Sequence, residues 1–361
     1  MRIKTTELRE GSILSEDIYS KTSRPILKKN TVLTNELIEV IKLFLLPTVE
    51  VNPTLITGAP IQSTMEKGRN HLNEFPQEFE TKEFTTLFLE ATKEFKRHFQ
   101  LWQSGLPINI TKLRSILLPL LEETFDRPSE IFYLHHLSTK GEYLYQHSLA
   151  VGLLCGFMAK QLKYSQGDTL QAALAGLLAD CGMSKVRPGI LQKRAALTAQ
   201  EFKEIKNHTK YSYLLVQNIT SLTEGAKVAI FQHHERLDGS GYPMGLAGNK
   251  IHDVAKIIAV ADTYHAMTSQ RTYRKKQSPF KVLELMRQDQ FGKFDVQALG
   301  ALCSGIINFS KGSQIKLSNG QLGEVLFISD KTPTRPLIKL YETDEIINLE
   351  NYRELYIDEI I

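Results

Sequence analysis

Apolar residues recur at helical spacing through most of this chain, and at alternating spacing only near its two ends. The runs EFTTLFLEATKEFKRHFQLW (83–102) and TKLRSILLPLLEETF (111–125) predict two amphipathic helices inside a helical stretch from about residue 63 to 125. From about 128 to 309 the pattern is almost wholly helical, with glycine and proline at the boundaries, as at Arg187-Pro188-Gly189. Near the start, ILSEDIYS and ILKKNTVL read as short strands separated by KTSRP, which has turn chemistry. TNELIEVIKLFL predicts a helix after a Thr34/Asn35 cap, and TVEVN a returning strand. Near the end, GSQIKLSNGQLGEVLFIS alternates around Asn319-Gly320, a hairpin signal, and PLIKLYE and INLENYRELYI add further strand candidates.

These patterns predict a mainly α chain with a small mixed α/β module at 1–55, a helical connector at 56–127, a helical domain at 128–309 and a small β-barrel-like module at 310–361. Pro53, Gly58 and Pro60 mark the first linker. The connector reads as an element that packs or forms a homodimer, with no catalytic part. At 361 residues there is length for two or three domains with sizeable cores.

A net charge of +4, without dense Lys/Arg runs, gives no warrant for nucleic-acid binding. Cys155, Cys181 and Cys303 are far apart and read as reduced thiols. No apolar run reaches membrane-spanning length and the first residues hold no apolar signal core, so the expectation is a cytoplasmic protein.

The densest chemistry lies in HHERLDGSGYP, His233 to Pro243. Adjacent histidines offer imidazole nitrogens to metal. Gly239 and Gly241 let the backbone turn sharply and come close to a ligand, and Pro243 fixes the exit. As HHExxDGxGYP, this string resembles the signature of the HD-GYP family, a branch of the HD-domain metallohydrolases that typically hydrolyses cyclic di-GMP. The resemblance covers about half the chain and implies an all-helical HD-type domain with a divalent metal cluster, and a mixed His/carboxylate shell suits iron, manganese or zinc without deciding among them.

It also implies a ligand order. His147 matches the first histidine, Asp180 the aspartate of the His-Asp doublet, His208 the next histidine, His233 and His234 the pair, and Asp262 the final aspartate. Arg271 and Arg274 match phosphate contacts, a role suited to the planar guanidinium fork, and Tyr242 would line the pocket. Singly, each residue has a plainer reading: His147 as a core histidine, Asp180 as a helix cap, the two arginines as a solvated helix end. Asp262 inside an apolar run is harder to dismiss, because a buried carboxylate needs a partner or a metal. His71, His98, His135, His136 and His252 match no ligand position and read as surface or packing residues.

Three departures stand out. Where the resemblance implies HDxGK, the chain reads Ala179-Asp180-Cys181-Gly182-Met183, so a ligand and a cation are both missing. His265 stands where a second aspartate is implied. Cys181 should point away from Ala179, Tyr143 shares the helix face of His147 but is a poor metal ligand, and Glu142 lies off that face. The metal bounded by His147, Asp180 and Asp262 keeps three candidate ligands, whereas Asp180, His208, His233 and His234 suffice for the other. Losing even an outer partner of a metal ligand costs about 10–100-fold in affinity or activity.

Two readings follow. In one the chain is a metal-dependent cyclic di-GMP phosphodiesterase with Asp180 in the catalytic centre. In the other, which the two missing groups favour, it binds nucleotide, one metal instead of two, or a protein partner through the GYP loop, with catalysis impaired or lost.

Overall fold

The structure is a computed structural model; it describes the chain apart from residues 1, 6–7, 20–24, 28, 35–36, 39–40, 42–47, 53, 56–77, 140, 192, 194, 270–275, 289–291, 308 and 330–331. The chain divides into two compact units, 1–74 and 75–361. In the first, β1 (Arg2–Lys4) pairs antiparallel with β4 (Thr48–Glu50), and β2 (Ile18–Tyr19) with β3 (Pro25–Leu27). Ile3, Leu14, Leu33, Ile41 and Val51 form its core. Thr34 caps the short helical segment: its Oγ1 accepts the Leu37 N–H at 3.3 Å, as a side chain there should. The expected linker at Pro53, Gly58 and Pro60 lies outside the described residues.

The second unit is built from helices α1 (Glu78–Gln103), α2 (Ile110–Asp126), α3 (Tyr143–Gln161), α4 (Gln166–Leu178), α5 (Ala199–Lys206), α6 (His208–Val216), α7 (Glu224–Gln232), α8 (Asp253–Thr268), α9 (Pro279–Arg287) and α10 (Val296–Ile306), with shorter turns between. Phe84, Phe88, Phe95, Phe99 and Trp102 fall four, seven, four and three residues apart on α1, with Ala91 in the longer gap, so one face carries a buried apolar stripe rich in aromatic rings. Each such ring contributes roughly 1.5–3 kcal/mol by leaving water. Small residues bring α3 and α4 together: a side chain at Gly176 would meet Cys155 Sγ at 2.7 Å and the Val151 carbonyl at 3.0 Å. That close pairing fixes where α4 ends, and the turn after it carries Asp180.

At the C-terminal end, β5 (Gln314–Leu317), β6 (Leu322–Phe327), β7 (Leu337–Leu340), β8 (Ile346–Asn348) and β9 (Ile357–Ile360) form one antiparallel sheet in the order β8-β7-β6-β5-β9. β5 and β6 join through Asn319-Gly320, where Gly320 takes φ +89°. The sheet is open, with β8 and β9 as edges, so the barrel-like tail is corrected to a sheet. Its apolar face has no need to close on itself, because Ile315, Leu317, Val325, Ile338 and Ile357 join the same core as the helices. Arg335 pairs with Glu284 of α9 at 2.7 Å, and Ser278 Oγ donates to the Ile357 carbonyl at 2.6 Å. Among the described residues, no helix is long and apolar enough to cross a membrane. The finer division at 55, 127 and 309 stands as a proposal.

Candidate metal centre

The turn after α4 is clamped to α6. Ser212 Oγ donates to the Ala179 carbonyl at 2.6 Å and accepts the Gly182 N–H at 2.8 Å. Gly182 has to be glycine here, since a Cβ would lie 2.1 Å from the His208 carbonyl oxygen. The clamp sets Asp180 beside His208, the first residue of α6. α7 ends at Gln232 and delivers His233 and His234; α3 contributes His147, and α8 contributes Asp262.

These six side chains converge. Asp180 Oδ1 lies 3.2 Å from His208 Nε2 and 3.8 Å from His233 Nε2, while its Oδ2 lies 3.6 Å from His147 Nε2. Asp262 reaches His147 Nε2 at 3.0 Å through Oδ1 and His234 Nδ1 at 3.7 Å through Oδ2. Two donor sets result, Asp180/His208/His233/His234 and His147/Asp180/Asp262, each with its ligand atoms within 4.8 Å of one another. Asp180 belongs to both and would serve a cation held by either set.

The donor chemistry fits a divalent cation. His208 Nδ1 donates to the Ile205 carbonyl at 2.8 Å and His233 Nδ1 to the Ile230 carbonyl at 2.7 Å, which leaves both Nε2 lone pairs turned inward. Asp180 Oδ1 is buried without an aligned hydrogen bond, as a metal ligand would be before binding. Burial opposes charge on both aspartates, yet the surrounding histidines prevail and hold Asp180 and Asp262 far below the usual carboxylate range. His233 is pushed down to about 4 by burial and then by His208, and His234 is pushed well below its ordinary value by burial and then by His233. Burial also disfavours charge on His208, but contact with Asp180 outweighs it and raises its pKa. The centre therefore offers ionised carboxylates and, in His233 and His234, imidazoles held neutral, a mixed shell suited to iron, manganese or zinc.

The two sets are unequal. Ala179 lines a small gap with His147, Asp180, Asp262 and His233, and it brings only a methyl group. Met183 lies half-buried against the apolar core, and Lys185, two residues on, spends its ammonium on the Trp102 carbonyl at 2.6 Å. Glu142 pairs with Lys96 at 2.8 Å, away from the centre, and Cys181 Sγ faces the Ser212 carbonyl at 3.9 Å. Lys206 Nζ stands 4.9 Å from the ring centroid of the loop tyrosine, Tyr242.

The loop after His234 is held from beneath. Glu235, almost wholly buried, accepts the Met244 N–H at 2.7 Å and the Leu246 N–H at 2.9 Å. Arg236 donates to the Glu235 carbonyl at 2.8 Å and to Thr263 Oγ1 at 3.3 Å. Gly239 takes φ +79°, and Gly241 passes so near His234 that a Cβ would fall 2.5 Å from its carbonyl oxygen. Tyr242 then stacks on His234 with ring centroids 4.6 Å apart. Arg271 and Arg274 lie outside the described residues, as does His71. Of the histidines expected to be surface or packing residues, His98 and His135 are buried, His136 is exposed, and His252 caps α8 by accepting the Val254 N–H.

Sequence reading missed the parts played by Ser212, Glu235 and Arg236. Ser212 carried a usable signal, being four residues after His208 and so on the same helix face.

Residues 134–297 match the family described as HD domain. A cyclic di-GMP phosphodiesterase of Pseudomonas aeruginosa is 33% identical over 214 residues, 59% of this chain and 51% of that protein. A 3'3'-cGAMP-specific phosphodiesterase of Vibrio cholerae is 34% identical over 46% of this chain and 38% of its own length. A cyclic di-GMP phosphodiesterase of Thermotoga maritima is 32% identical over 49% and 50% respectively. The chain thus spans about half the length, or less, of these curated relatives. Among solved structures, an HDG"Y"P protein from Bdellovibrio bacteriovorus superposes with a TM-score of 0.51 at 13% identity, over 84% of this chain and 98% of that one, a likeness of fold.

Proposed function

We propose that this chain, whose residues 134–297 match an HD domain, is of the HD-GYP kind and binds a cyclic dinucleotide, cyclic di-GMP first, and one tightly held divalent metal, with hydrolysis impaired or lost. The observation that carries the reading is the inequality of the two donor sets: three histidines and Asp180 on one side, and on the other three donors facing the methyl of Ala179.

Asp180, His208, His233 and His234 would hold the tight cation, and His147 with Asp180 and Asp262 a weaker one. A bound divalent ion there would supply Lewis-acid charge for a phosphodiester oxygen. The chain's own residues do the rest. The carbonyls of Ile205 and Ile230 keep the imidazoles oriented, and Glu235 keeps the loop folded over them. Tyr242 offers a ring face to a base or ribose, and Gly241 lets the loop fold closely back against His234 and Glu235. Arg271 and Arg274 are proposed as phosphate contacts on the family resemblance. With Met183 in place of a lysine, no cation at that position offsets charge building at phosphorus, a contribution worth several kcal/mol where water is excluded.

An active phosphodiesterase is the alternative, and the activities for which the relatives are named favour it. Relatives named for two different cyclic dinucleotides support the ligand class more firmly than its bases. Neither a protein partner at the GYP loop nor a homodimer draws support from the described residues, so the proposal is confined to metal and nucleotide. The test is equilibrium binding of cyclic di-GMP to the manganese-loaded chain, with metal counted on the same sample. Saturable binding with one tight metal per chain is expected. Absence of nucleotide binding, or two equally tight metals, would overturn the reading.

A further inference from the structure

His265 is almost completely buried on α8, three residues after Asp262, and its ring is turned towards His147. The two Nδ1 atoms lie 2.9 Å apart. Ser269 Oγ stands 3.2 Å from His265 Nδ1 and 3.3 Å from its Nε2, and Ser138 Oγ donates to Ser269 Oγ at 3.0 Å. The Tyr143 hydroxyl also stands 3.2 Å from His147 Nδ1. Four buried groups thus run in a line away from the donor atoms of the weaker metal set.

A histidine that gives Nε2 to a metal carries its proton on Nδ1 and must place that proton on an acceptor. Here the shortest contact is an imidazole nitrogen where the family pattern has a carboxylate. We propose that His265, backed by Ser269 and Ser138, is a positioning residue that accepts the Nδ1 proton of His147 and keeps His147 Nε2 aimed at Asp180 and Asp262. The arrangement fixes His265 as the tautomer protonated on Nε2, with Ser269 Oγ beside that proton. A neutral acceptor also leaves His147 a weaker donor than a carboxylate would, which lowers metal affinity on the Ala179 side only. The inference concerns metal binding and holds whether or not nucleotide is turned over.

The test is a Mn2+ binding isotherm that resolves a tight and a weak step, read from the EPR signal of free Mn2+, in the unaltered chain and in Ala179→His. In both backgrounds His265→Leu should weaken the second step about 10–100-fold and leave the first unchanged. His265→Asp should restore or tighten the second step, a rescue that a merely structural role would not give. Ser269→Ala, which leaves the histidine pair intact, should weaken it by a smaller factor, and Tyr143→Phe should change it less than about threefold. An unchanged second step in His265→Leu would overturn the proposal, as would equal losses in both steps or no second step in either background. Two equally tight metals in the unaltered chain would overturn the proposed function, yet leave the His265 comparison intact.

Discussion

Nε2 of His208 and Nε2 of His233 face each other at 3.2 Å, with each ring pinned through Nδ1 to a main-chain carbonyl three residues earlier. With each Nδ1 given to a carbonyl, both Nε2 atoms are free to turn lone pairs on a cation. Something positive belongs between them, and Asp180 at 3.2 Å from His208 supplies the balancing charge.

Metal should therefore stabilise the fold through this set. A divalent ion at 100 times its dissociation constant raises folding stability by about 2.7 kcal/mol. Thermal unfolding with and without manganese reads this directly. His233→Ala should remove the shift, while Arg187→Ala, on an exposed ion pair, should keep it. A shift that survives in His233→Ala would contradict the assignment of the tight site.

Gly182→Ala should disorganise the centre without touching a ligand. Its Cβ would fall 2.1 Å from the His208 carbonyl and 2.4 Å from the Ser212 nitrogen, both main-chain atoms. The turn must move, and Asp180 moves with it. Metal affinity should fall by at least tenfold, alongside a loss of stability of several kcal/mol by analogy with overpacked cores. Gly189→Ala, where a Cβ meets nothing, is the control.

Glu235→Ala should free the loop that follows His234. Hydrogen bonds to a charged group contribute about 1.5–3 kcal/mol each, and two end on this carboxylate, from Met244 and Leu246. Hydrogen exchange at those two amides should speed up by at least tenfold in the variant. Unchanged protection would mean that the loop is held by something else.

How far the centre was legible in the sequence depends on what each residue needs. His233 and His234 announce themselves by adjacency, and Asp262 by being a carboxylate within an apolar run. Ser212 shows only through its helical spacing from His208, and Ser269 not at all, because a serine becomes informative chiefly once its neighbours in space are known. The hairpin at Asn319-Gly320 follows from local turn chemistry, whereas the openness of the sheet depends on helix α9 covering its apolar face. The long apolar stripe from Phe84 to Trp102 was readable from spacing alone. The replacement of an aspartate by His265 was visible as a departure, but its consequence emerged only from the 2.9 Å contact with His147.

Away from the centre, His135 should make stability depend on pH. Its pKa is pushed down to about 3, first by burial and then by His136, although its ring contacts the Phe132 carbonyl at 2.6 Å. The unfolded chain takes up a proton near the ordinary value of 6.5 and the folded chain refuses it. Stability thus falls as the pH drops from 6.5 towards 3, by up to about 1.4 kcal/mol per unit from this residue. His135→Gln should flatten that slope between pH 6.5 and 4.5 in urea denaturation. An unchanged slope would mean the histidine charges within the fold.

The central claim is that Ala179 and Met183 cost the chain its hydrolytic turnover while the rest of the centre stays assembled. The direct measurement is cyclic di-GMP hydrolysis by the purified chain, loaded anaerobically with iron or manganese, beside the Ala179→His/Met183→Lys variant. The account predicts an inert parent and a variant that opens the dinucleotide at least a hundredfold faster, since each factor of ten needs only about 1.4 kcal/mol. A parent that turns over substrate at a rate comparable to the variant would contradict it.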